Sequence, residues 1–84
     1  MKYKIEIAPL LDYFVIAAKD KKTGELVEAF TINESGKDML ELFCQEKDTT
    51  TITQEIADKY DAPLEQVSID VAAFAKRLTQ KGLL

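Results

Sequence analysis

The sequence predicts an α+β fold in which a three-stranded antiparallel sheet is followed by three helices. Three observations carry this. The first third of the chain has the two-residue hydrophobic period of strands. After Ile32 the period lengthens to three and four, and turn-forming residues separate the runs. At 84 residues, 46% of them hydrophobic, the chain has material for one modest core. It contains no repeat, low-complexity tract or linker. Residues 1–84 are therefore expected to form a single domain, with sheet over 1–32 and the helical part over 33–84.

Lys2 to Ile7 alternates strictly, with Tyr3, Ile5 and Ile7 on one face and charges on the other, as in a half-buried strand. Pro9 is expected to end it, because proline cannot donate to a ladder. Tyr13 to Ala18 is apolar on both faces, which places this second strand at the centre of the sheet. Lys19 to Glu25 is a polar turn in which Gly24 can supply a positive φ. Leu26 to Ile32 then returns as the third strand, with Glu28 on the face of Leu26, Phe30 and Ile32.

Asn33-Glu34-Ser35-Gly36 combines cap-type residues with an early acid, and opens a helix carrying Met39, Leu40, Leu42 and Phe43. Gln45 to Thr51 reads as a loop. Thr51 to Gln54 has capping-box spacing, so the second helix is expected to start at Thr51 and carry Ile56, Ala57 and Tyr60. Pro63 is expected in the first turn of the last helix, where proline is tolerated. There Leu64, Val67, Val71, Phe74, Ala75 and Leu78 follow steps of three and four, and Gly82 is a natural stop. Two short helices joined by a tight turn beside a small sheet make a winged helix-turn-helix.

Composition excludes several functions. There are 11 Lys and Arg against 15 Asp and Glu, a net charge of −4, and no His. That balance does not suit phosphate backbones or anionic lipid, so neither nucleic acid nor membrane is an expected partner. Cys44 is the single cysteine, which rules out an internal disulfide and a Cys-rich metal site. With no His to activate it, Cys44 reads as a half-buried small hydrophobe, not a nucleophile. The acids Glu34, Asp38, Glu41 and Glu46 read as solvated helix surface. No apolar run approaches a membrane span, and the N-terminus does not resemble a signal peptide. The expectation is a cytoplasmic, non-enzymatic domain without metal or cofactor.

Two features favour peptide binding. As the last strand of a small sheet, the third strand offers an edge to which another strand can add, and Glu28 among apolar neighbours is one way to guard such an edge. On the last helix, Ile69 points about 160° away from Val71, near Ala73 and Lys76 with Ala72 on the flank, onto a face otherwise left to water. A winged-helix DNA-binding regulator is the alternative reading. Against it, the groove-reading end of the last helix carries Glu65, Gln66 and Asp70, while Lys76, Arg77 and Lys81 come late. A homodimer formed through the same edge is a third.

Several segments together resemble the PqqD-like family. Ile32-Asn33-Glu34-Ser35-Gly36 is similar to its LNE(S/T)(G/A) junction, and Leu40, Leu42 and Phe43 fall where it has an ILELL-like run. Thr51-Ile52 with Glu55-Ile56 is similar to TVEEI, and Asp70 to Phe74, Leu78 and Gly82-Leu83-Leu84 are similar to DVxxFLxxLxxxGLL. The resemblance implies a RiPP recognition element, a peptide chaperone that binds the leader segment of a ribosomally made precursor peptide. The leader would add to the third strand at Leu26, Val27, Glu28, Ala29, Phe30 and Thr31. Ile69, Ala72, Ala73 and Lys76 would form the opposing helix wall. The implied partner is a modifying enzyme of natural product biosynthesis, often a radical SAM protein, and the domain itself would need no cofactor.

Overall fold

The computed structural model describes residues 1–84. Strands β1 (Lys4–Leu10), β2 (Tyr13–Lys19) and β3 (Leu26–Ile32) precede helices α1 (Glu34–Cys44), α2 (Thr49–Tyr60) and α3 (Leu64–Gln80). The sheet is antiparallel in the order β1-β2-β3, so the strand that is apolar on both faces is the central one.

Cross-strand partners share a face, and the register therefore sorts the sheet into two surfaces. Ile5 lies opposite Ala18, Ile7 and Phe30 opposite Ile16, and Ile32 opposite Phe14. This face meets the helices, and Ile16 and Ala18 are fully buried there. Glu6, Lys19 and Ala29 lie on the solvent face, where the Lys19 ammonium sits 2.7 Å from the Glu6 carboxylate. The helices complete the core with Leu40, Ile52, Val71 and Leu78, and Phe43 of α1 meets Phe74 of α3 at 6.1 Å between ring centroids.

The turns follow from side-chain chemistry. Between β2 and β3, Asp20 Oδ1 accepts from the backbone N–H groups of Lys22 and Thr23, and Gly24 takes φ +73°. At the end of α3, Gly82 at φ +76° lets Leu83 N–H reach the Leu78 carbonyl at 2.9 Å. Leu78 and Leu83 meet in the core, both fully buried.

Five sequence expectations need correction. β1 runs through Pro9, which pairs with Phe14; the strand is a sheet edge, where a missing donor costs no ladder bond. α2 starts at Thr49, not Thr51, because Asp48 is the N-cap and accepts from Thr51 N–H at 2.7 Å. Pro63 is the N-cap of α3 and not part of its first turn. Leu26 does not share the face of Glu28: a register shift at Ala18/Lys19 puts Glu28 opposite Ala18 and Leu26 opposite Lys19, so Leu26 moves to the solvent face.

The fifth concerns Asp38, which is only 7% exposed. It accepts from the Tyr60 hydroxyl and pairs with Lys37 at 2.9 Å and Lys59 at 2.8 Å. Helical spacing put Asp38 beside Lys37 and Glu41, but only the packing of α2 on α1 brings Lys59 and Tyr60 over it. Burial by itself would raise its pKa; the hydrogen bonds from Lys59, Tyr60 and Lys37 outweigh that and hold the carboxyl at about 2. The same burial and the carboxylate push Tyr60 up to about 12.

Candidate peptide-binding cleft

Both outer strands have a free side, but they are not equivalent. β1 carries Pro9 and solvent-facing charges. β3 is flanked by α3, which runs antiparallel to it. The contacts set the direction: Lys81 Nζ lies 3.6 Å from the Glu28 carboxylate and 4.6 Å from the Phe30 ring, and the Arg77 guanidinium lies 5.5 Å from that ring. Toward the other end of β3, a cleft of about 420 Å³ opens between the β3–α1 junction and α3. Asn33, Ser35, Gly36 and Met39 form one wall, and Asp70, Ala73, Phe74 and Arg77 the other.

Local sequence builds each wall. Asn33 leaves the strand in extended conformation and caps α1, its Oδ1 accepting from Gly36 N–H at 2.9 Å. Gly36 packs so closely that a Cβ there would stand 3.1 Å from Asn33 Oδ1 and 3.2 Å from Ile32 Cβ. On α3, residues 69, 73, 76 and 77 fall within about 60° of one another's mean direction at about 100° per residue, so they share a face. Val67, Val71, Phe74 and Leu78 turn to the core instead.

The structure gathers most of the residues singled out above. Ala29 and Thr31 are exposed along β3, and Leu26 and Val27, where the register shifts, are 60% and 49% exposed. Glu28 and Phe30 turn toward α3. Ala73 lines the cleft, and Ile69, 59% exposed, sits one turn before it, with Lys76 one turn beyond. Ala72 is not with them. It lines a separate groove with Thr53, Leu64 and Ser68, on the flank that faces α2. Arg77, Asp70 and Asn33 escaped the sequence reading as binding residues. Asp70 lies three positions before Ala73 and Arg77 four after it, the spacing of residues on one helix face.

Cys44 is half-buried, and burial pushes its thiol pKa up, away from the reactive thiolate. No helix is long and apolar enough to cross a membrane.

A small sheet with its third strand at an open edge stands beside a helix-lined cleft. The family model described as Coenzyme PQQ synthesis protein D (PqqD) matches residues 20–84, and the chain belongs to that family. Its fold is similar to that of a solved structure described as "TbiB1 in Complex with the TbiA(beta) Leader Peptide", with a TM-score of 0.72 and 24% identity over 100% of this chain and 94% of that one. No curated protein matches the chain.

Proposed function

We propose that this chain is a RiPP recognition element. It binds the leader segment of a ribosomally made precursor peptide by strand addition at β3 and presents it to a modifying enzyme, a radical SAM protein being the kind of partner its family resemblance implies. The observation that carries this reading is the juxtaposition of an unpaired strand edge with the α3 cleft. Membership in the PqqD family supports it, as does the similar fold of a protein solved with a leader peptide.

The division of labour follows from strand addition. Main-chain hydrogen bonds to β3 supply affinity for any extended segment, and alternate side chains entering the cleft supply selectivity. Ordering the peptide opposes binding, so an affinity of about 1 μM is expected. Catalysis rests with the partner, for which the domain raises local substrate concentration. Glu65 and Asp70 on the leading half of α3 weigh against insertion into a DNA groove.

The test is affinity capture from source-cell lysate on the immobilised chain, with intact mass spectrometry of the eluate, followed by amide exchange with the captured peptide. Successive N–H groups of a strand point to opposite sides. Strand addition therefore protects every second amide of Leu26–Thr31, those facing away from β2. Capture of a short peptide that protects no β3 amide overturns the proposed site; failure to retain any peptide overturns the reading.

A further inference from the structure

Every half-buried lysine of this chain has a carboxylate partner: Lys19 has Glu6, Lys37 has Asp38 and Glu41, Lys47 has Glu55, and Lys81 has Glu28. Arg77, exposed on α3 among them, has none. Its guanidinium makes no ion pair or side-chain hydrogen bond, and lies in the cleft wall with the Phe30 ring at 5.5 Å. An arginine held over an aromatic face keeps its five N–H donors in a planar fork, which matches a carboxylate bidentately. Exposed Lys76 precedes it and Lys81 follows one turn on, so this end of the cleft is the basic end of an acidic chain.

We infer that Arg77 anchors an acidic side chain, Asp or Glu, of the bound peptide at the Phe30 end of the cleft. The inference rests on the proposed peptide-binding function and adds the chemistry that selects the peptide. Asp70 sets the polarity. It lines the same cleft two turns earlier on α3, about 10 Å away along the axis, and repels a second acid there. The preferred occupant is therefore an extended segment with one acid beside Phe30 and none where it passes Asp70.

A phage-displayed library of random peptides, panned on the immobilised full chain, tests this without knowledge of the natural precursor. Wild type is expected to enrich Asp or Glu at one fixed position, and Arg77→Glu to replace it with Lys or Arg. For a synthetic peptide from the wild-type selection, Arg77→Gln is expected to weaken binding about 10-fold, and exchanging the acid for Lys is expected to restore binding to Arg77→Glu. Circular dichroism confirms that each variant is folded. Enriched peptides with no fixed acid, or the same acid on Arg77→Glu, overturn the anchor and leave peptide binding standing. An acid that changes with Lys76→Glu and not with Arg77→Glu also overturns it. No enrichment on folded wild type overturns both the anchor and the function on which it rests.

Discussion

The Tyr60 hydroxyl, at the end of α2, donates to the buried Asp38 carboxylate of α1. Lys37 and Lys59 close around the same carboxylate, so one acid ties two helices together and every buried polar atom of the cluster has a partner. Removing the donor in Tyr60→Phe is expected to cost about 1 kcal/mol in urea unfolding, since Tyr60 is partly exposed and two ammonium groups remain on Asp38. An unchanged midpoint would mean that the hydroxyl contributes nothing net.

The same carboxylate sets the acid limb of stability. Its pKa is about 2 in the folded chain and near the ordinary 3.8 when unfolded. A depressed carboxyl stabilises fully above its unfolded pKa and loses that contribution as pH falls through the folded one. Stability is therefore expected to drop by about 2 kcal/mol between about pH 5 and pH 2 on account of this group. Asp38→Asn removes that part of the slope, measurable as a flatter pH dependence of the unfolding midpoint.

Backbone strain at the β1–β2 turn gives a stabilising substitution. Leu11 has φ +56° and is 96% exposed, so a bulky residue holds a left-handed conformation with no burial to offset it. Leu11→Asn is expected to raise stability by about 0.5–1 kcal/mol, because asparagine tolerates this conformation. Thermal unfolding checks the sign.

Leu83 lies beyond α3 and yet is fully buried, folded back by the turn at Gly82. Leu83→Ala is expected to cost about 2–4 kcal/mol, as in the middle of a core, rather than the near-zero cost usual beyond a helix end.

Binding variants separate the two flanks of α3. Ile69→Asp and Ala73→Leu, which respectively charge and fill the β3 side, are expected to weaken binding of the captured peptide about 10-fold with unfolding midpoints unchanged. Ala72→Lys, on the α2 flank, is expected to leave binding intact. Calorimetric titration measures all three, and equal losses from Ala72→Lys would move the site off the cleft.

Periodicity carried the fold. Alternation in Tyr3, Ile5 and Ile7, an apolar run on both faces of Tyr13–Ala18, and three-and-four spacing through Val67, Val71, Phe74 and Leu78 are properties of neighbouring residues, and the sequence by itself determined the order of elements, the central strand and the core face of α3 from them. The cap at Asp48 was also local, but Thr51 offered a competing capping pattern, and the earlier start prevailed with Ile52 fully buried in the helix it opens. What neighbours in sequence cannot specify is which element lies over which. Asp38 looked like helix surface until α2 brought Lys59 and Tyr60 over it. Pro9 looked like a strand end until β1 proved to be an edge. The register shift that turns Leu26 from Glu28, the separation of Ala72 from Ala73, and the unpaired Arg77 beside Phe30 were decided only by tertiary structure, because each depends on the relative placement of two surfaces that meet from distant parts of the chain.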